Sequence, residues 1–372
     1  MSLTLDDTTR AELAPYGFDE AQLARFAERA RGGSSDDNAV KGRVTPPAEG
    51  DVVPLPPLGS KERAALRERG LAAIREGQVG AVVLAGGMAT RFGGVVKAAV
   101  PVFDGRTFLE IKVDDVAACA EHAGGRIPLY VMTSFATHTR IEEHVKEKGL
   151  DRFAHAPITC FPQLVSLRLT PEGTLFREAD GTLSPYATGH GDLSFALRAS
   201  GVLARFRQGG GQLLFMSNVD NLGATLDPAI VGLHLSRGAS ITAEVVKKDP
   251  GDKGGAPARV DGTPQIVEGF RFPKGFDQDA IPVFNTNTLV LDAAAIDRDF
   301  ALPFYRVEKK VEGKVAIQFE RLVGELTAFV PSAFVLVDRD GPDGRFQPAK
   351  DPDELARRLP QIEAIVKSDR SR

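Results

Sequence analysis

The segment Leu84-Ala85-Gly86-Gly87-Met88-Ala89-Thr90-Arg91-Phe92-Gly93, with Lys97 just beyond it, holds the residue types that a phosphate-binding loop needs. Paired glycines let a backbone approach an anion and present its amides, and Thr90, Arg91 and Lys97 add donors and positive charge suited to a triphosphate. The spacing matches neither G-x-G-x-x-G nor G-x-x-x-x-G-K-[ST], which speaks against a dinucleotide-dependent dehydrogenase and a standard P-loop. An ordinary glycine turn is the plain alternative. Asp220 stands just past an apolar run ending at Met216, where a carboxylate can hold Mg2+ against a phosphate oxygen or merely cap a turn. His190 lies between glycines in Gly189-His190-Gly191-Asp192, where an imidazole can donate to a sugar-phosphate oxygen. Lys350 directly precedes a helix opened by Asp351 and Pro352, beside amides that favour an anion.

These residues need a frame, and the surrounding pattern describes one. Apolar runs at Gly80–Leu84, Pro128–Thr133, Gln212–Met216, Ser240–Val246 and Val283–Leu291 read as strands. Helical patterns at Thr107–Ala123, Thr137–Lys148, Asp227–Gly238 and Val315–Leu326 lie between or after them. Alternation of this kind predicts an α/β fold, a Rossmann-like, mixed but mainly parallel twisted sheet flanked by helices. Short apolar pieces at Ala258–Val260 and Gln265–Val267 predict antiparallel hairpins, and a last helix starts at Asp351. Residues 1–75 read as a helical N-terminal arm and linker, in which Gly32–Gly59 is expected to be extended with little structure of its own. Residues 76–330 form the expected catalytic domain, and 331–372 a closing strand, the Lys350 loop and a helix.

Hydrophobic residues make up 42% of the 372 and charged residues 26%, enough to build a large core. The net charge of -4, with Lys and Arg scattered among acids, argues against nucleic acid or an anionic membrane as partner. Cys119 and Cys160 have no CxxC or metal-ligand spacing and read as free thiols. No secretory leader and no apolar run of about 20 residues is visible, so the expected compartment is the cytoplasm.

Seven segments in series carry a resemblance covering roughly residues 80 to 355. They are the Leu84–Gly93 loop with Thr107-Phe108-Leu109, Met132-Thr133-Ser134-Phe135-Ala136-Thr137-His138, Phe161-Pro162-Gln163, Gly189-His190-Gly191-Asp192, Asn218-Val219-Asp220-Asn221-Leu222-Gly223-Ala224, Phe284-Asn285-Thr286-Asn287, and Arg345-Phe346-Gln347-Pro348-Ala349-Lys350. Together they resemble the UTP–glucose-1-phosphate uridylyltransferase family of the eukaryotic type, whose fold is that of the GT-A-like nucleotide-diphospho-sugar transferases.

The resemblance implies Mg2+-assisted synthesis of UDP-glucose and pyrophosphate from UTP and glucose 1-phosphate. It implies Lys97, Asp220, Lys350 and Arg91 as the catalytic set, with Asp220 on the metal. Leu84, Ala85, Gly86, Gly87, Met132, Gln163, Gly189 and Gly191 would bind the nucleotide, Gln163 through the uracil edge. His190, Asn218, Gly255, Glu268, Asn285 and Asn287 would bind the sugar phosphate. The sequence departs from the family pattern in three ways. Ala89 stands where the family has glycine, Lys97 follows one residue sooner without its preceding proline, and the chain ends soon after Lys350. The family's C-terminal β-helix domain is therefore expected to be absent, and no oligomer is predicted. Two alternatives stay open: the same chemistry on N-acetylhexosamine or a broad set of sugars, and a non-catalytic UDP-sugar sensor.

Overall fold

The computed structural model describes residues 3–34, 38–89, 92, 94–252 and 254–368. Its centre is an eight-stranded sheet. In chain order the strands are β1 (Val52–Pro54), β2 (Val79–Leu84), β3 (Leu129–Thr133), β4 (Ile158–Pro162), β5 (Leu213–Asn218), β6 (Ile241–Lys247), β7 (Val283–Asp292) and β8 (Ser332–Leu336). They lie side by side as β1-β8-β6-β7-β5-β2-β3-β4. Every neighbouring pair is parallel except the two made by β7. All six residues of β2, Val-Gly-Ala-Val-Val-Leu, are buried, as a strand covered on both faces requires.

Helices α1 (Asp7–Leu13), α2 (Glu20–Gly32), α3 (Lys61–Arg75), α4 (Phe108–Ala123), α5 (His138–Glu147), α6 (Leu193–Ala199), α7 (Val202–Gln208), α8 (Pro228–Arg237) and α9 (Pro352–Val366) complete the main framework. One sheet face packs on α3, α4, α5, α8 and α9, and the other on α6 and α7. Helix ends follow their sequence signals. Thr107 and Glu110 form a capping box on α4, and Asp227 caps α8, which closes at Gly238 with φ 62°. Helices α3 and α8 cross where Gly70 meets the Pro228 carbonyl and Gly232 meets the Leu66 carbonyl, an approach that no Cβ would permit. None of the described helices is long and apolar enough to cross a membrane.

Two expectations need correction. Val315–Leu326 is not a helix: Lys314–Glu320 is a strand paired antiparallel with Tyr305–Val311, and a short 3-10 turn, Val323–Ala328, follows. Glu312 and Gly313, at φ 49° and 80°, make the two-residue turn of positive φ that suits a hairpin. The arm is also less bare than its composition implies. Val44–Thr45 pairs with the Ala256–Val260 strand, and β1 extends the main sheet beside β8. Pro54 is tolerated because β1 is an edge strand. Helices α1 and α2 share a third core with Val165, Leu167, Ile317 and Phe319, and Phe26 stacks on Phe319 at 4.6 Å.

Candidate functional site

Strands β2 and β5 run parallel and end together, Leu84 opposite Asn218. Ligands of open α/β sheets sit at such carboxyl edges. Two residues beyond β5, Asp220 accepts a 2.8 Å hydrogen bond at Oδ2 from Lys97 Nζ, which itself lies 5.8 Å from the Phe92 ring centre. Lys97 and Asp220, 123 positions apart in the chain, thus meet at this edge. Thr90 and Arg91, and the side chain of Ala89, lie outside the described residues.

The Asp220 loop is sewn to the segment carrying Lys350. The Asp220 carbonyl accepts from the Ala349 amide at 3.1 Å, the Asn221 side chain accepts from the Gln347 amide, and its own amide donates to the Arg345 carbonyl. Lys350 itself is exposed. Burial raises the neighbouring Asp252 carboxyl, but bonds from Arg339 and the Asp249 amide, with the charge of Lys350, outweigh it and hold the group below its ordinary value. The expected anion site at the start of α9 needs revision. Asp351 accepts from the Glu354 amide and Glu354 from the Lys350 amide, so the helix end is closed by its own acids. What Lys350 brings is its ammonium group.

The amide residues form a second cluster beside Asp220. Asn287 donates from Nδ2 to Asn218 Oδ1 at 2.9 Å, Asn285 Oδ1 accepts from the Asn287 amide, and the Asn285 amide donates to the Gly255 carbonyl at 2.7 Å. This order depends on a bulge: pairing of β6 with β7 jumps from Ala243–Leu289 to Val245–Asn285. Asn287, left over in the bulge, takes φ 58°, a left-handed conformation that asparagine accepts better than most residues. Glu268 closes the row, its Oε1 lying 2.8 Å from where a Gly255 Cβ would be.

Burial, with the charge of Glu325 nearby, pushes the Glu268 carboxyl up to about 7, against the pull of Arg271. An acid whose folded value is raised costs nothing where both states are protonated and destabilises the fold as pH climbs from its unfolded value towards 7. Glu268→Gln is therefore expected to melt several degrees higher than the parent at pH 8 and at the same temperature near pH 4, as thermal scans at the two pH values would read.

His190 accepts the Val323 amide at Nδ1, 3.1 Å, which leaves its proton on Nε2. Burial lowers its pKa to about 4, so it is a neutral donor across the physiological range. Gly324 follows Val323 and would carry its Cβ 3.7 Å from Glu268 Oε1, which brings His190 into the same neighbourhood. Gly189 and Gly191 owe their lack of side chain to packing: a Cβ on either would strike the Arg321 backbone, and the Gly191 amide is spent on the Arg321 carbonyl.

At the other side of the loop, Ser134 donates to the Gly86 carbonyl at 2.8 Å, and the Gln163 amide lies where a Gly86 Cβ would be. Gly87 faces open space. Leu84, Ala85 and Met132 are core residues, with Met132 only 1% exposed and the Ala85 amide bonded to the Met132 carbonyl. They form the floor beneath the loop and offer no side chain to a ligand. Sequence reasoning left unassigned Asn221, which holds the two loops together, and the Glu325–Arg271 ion pair behind Glu268.

Among the described residues no group of three or more His, Cys, Asp or Glu side chains could hold a metal ion. Asp220, 20% exposed at its side chain, fits a different cation site. One carboxylate suffices for Mg2+ that keeps its waters and takes its other oxygens from phosphates.

A model of the family described as UTP–glucose-1-phosphate uridylyltransferase matches residues 23–359. A UTP–glucose-1-phosphate uridylyltransferase of Encephalitozoon cuniculi is 26% identical over 280 residues, 72% of this chain and 55% of the relative. UTP–glucose-1-phosphate uridylyltransferase 2 of Dictyostelium discoideum is 28% identical over 328 residues, 84% and 63%. This chain thus spans little more than half of these relatives' length. A uridine diphosphate N-acetylglucosamine pyrophosphorylase of Trypanosoma brucei, solved with an inhibitor, superposes with a TM-score of 0.78 at 20% identity, covering 95% of this chain and 79% of that one.

Proposed function

The chain belongs to the UTP–glucose-1-phosphate uridylyltransferase family, and from that premise we propose that it makes UDP-glucose and pyrophosphate from UTP and glucose 1-phosphate. The observation that carries this reading is the meeting of Lys97 and Asp220 at the sheet's carboxyl edge, directly beside the Asn218–Asn287 pair. In this reading residues 76–330 are the catalytic unit and 331–372 complete it.

The phosphate oxygen of the sugar 1-phosphate attacks the α-phosphorus of UTP in line, and pyrophosphate leaves with the electrons of the broken P–O bond. The attacking phosphate is already ionised at neutral pH, so the chain needs to supply neither nucleophile nor base. Its work is positioning and charge stabilisation. Lys97, freed from Asp220, and Lys350 offer cations to the phosphates. His190 donates from Nε2 without carrying charge. Asn218, Asn285, Asn287 and Glu268 offer fixed donors and acceptors to sugar hydroxyls. Mg2+, held by Asp220 and by the phosphates, would add positive charge where negative charge grows.

Glucose is preferred over N-acetylglucosamine because the curated relatives named above carry the glucose activity in their names, while the N-acetylglucosamine neighbour lies at an identity that speaks for fold alone. The test is pyrophosphate release from the purified chain with UTP, Mg2+ and a panel of sugar 1-phosphates, leaving out each component in turn. Release that requires UTP and glucose 1-phosphate together supports the reading. A higher rate with N-acetylglucosamine 1-phosphate would replace the sugar, and UDP-glucose binding without any release would replace catalysis by sensing.

A further inference from the structure

The role of the N-terminal arm is open in the sequence, yet one turn of it reaches the loops described above. Between α1 and α2 the chain bends at Tyr16-Gly17, where Gly17 takes φ 65°. The Tyr16 ring meets Phe135 edge-on at 5.8 Å and His138 at 6.4 Å. Gly17 lies so close to Leu164 that a Cβ would come within 2.6 Å of its Cδ2. Each contact is one step from a residue that shapes the loop. Phe135 follows Ser134, which bonds the Gly86 carbonyl, and His138 bonds Thr133 at 2.8 Å. Leu164 follows Gln163, whose amide rests against Gly86. Tyr16 also packs on the core that includes Val165 and Leu167.

We propose that the Tyr16-Gly17 turn is a positioning element for base recognition, bracing the Ser134–His138 loop on one side and Gln163 on the other. The inference rests on the uridylyl-transfer reading. It gives the arm a task in the reaction: the arm holds the Gly86 loop and the Gln163 amide in one register, so that a uracil finds donor and acceptor in place rather than having to order them. Tyr16 touches neither the Lys97–Asp220 pair nor the asparagine row, so its effect is confined to the nucleotide.

The loss of an edge-on aromatic contact corresponds to a change in affinity of up to about tenfold. Tyr16→Ala is therefore expected to weaken UDP binding by up to about tenfold in titration calorimetry and to narrow the preference for UDP over CDP. The KM for glucose 1-phosphate and the turnover at saturating UTP stay within about twofold, and Tyr16→Phe behaves as the parent. A variant that keeps both UDP affinity and the uracil preference overturns the proposal. So does one in which both KM values rise and the melting temperature falls together, since that is general loosening. A parent chain with no preference for UDP over CDP would instead remove the reading on which the proposal rests.

Discussion

Asp220→Asn is expected to lower turnover about a thousandfold while leaving the fold intact, the scale seen when one preorganised electrostatic partner is lost from a reaction centre. The fold is spared because of what Asp220 does for it. Its structural bond is made by the main chain, the carbonyl accepting from Ala349, and asparagine keeps that bond. Among the described residues its side chain makes one ion pair, with Lys97, at side-chain exposures of 20% and 13%, so water still reaches both groups and the pair contributes on the order of 1 kcal/mol. Asparagine has nearly the same shape but no charge. It would deprive Mg2+ of its only protein carboxylate in this reading and leave Lys97 without its resting partner. The decisive measurements are turnover by pyrophosphate release and the melting temperature of the same preparation, with the Mg2+ dependence of each. Turnover near that of the parent would remove Asp220 from the metal, and a large fall in melting temperature would make its role structural.

What the sequence made legible, and what it hid, divides along range of interaction. Strands buried on both faces announce themselves as apolar runs, and α4 and α8 carry their caps in adjacent residues, so the sheet and most helices could be read locally. Tyr305–Glu320 could not: Glu312-Gly313 is a weak turn signal, and Val, Ile and Phe spaced along Val315–Phe319 satisfy a helical count as readily as a strand. At the candidate site, the resemblance singled out Lys97, Asp220 and the asparagines, and the fold brings Lys97 to Asp220 and Asn287 to Asn218. The reasons for their neighbours' identities were not. Gly189 and Gly191 look like ligand-facing glycines until the Arg321 backbone is seen against them. Glu268 looks like an ordinary acid until Glu325 is found nearby, 57 positions on in the chain. Asn287 owes its place to a bulge whose existence depends on how β6 pairs with β7.

The largest effect on stability is expected at Glu244. This residue lies on β6 opposite the bulge, where its carbonyl accepts from Thr286. Its carboxylate, 1% exposed, takes two hydrogen bonds from Arg345, at 2.6 Å to Nε and 2.7 Å to Nη2. Arg345 is 3% exposed at its side chain and also donates to the Thr225 carbonyl, while its own carbonyl accepts from Asn221. One buried pair therefore ties the bulged region of the sheet to both loops that flank Asp220. Glu244→Ala strands a guanidinium in the core and is expected to cost about 3–5 kcal/mol, the range for breaking a buried pair from one side. Replacing both partners by apolar residues, Glu244→Leu with Arg345→Met, should recover much of that loss, because no charge is then left unpaired. It should not recover turnover, because the side-chain link from Arg345 to Thr225 is gone and the loop carrying Asp220 loses one of its anchors. Denaturant unfolding of the two variants, read beside pyrophosphate release, separates the effects. If the double variant regains both stability and turnover, Arg345 is only a packing residue; if it regains stability alone, the pair exists to hold the loop.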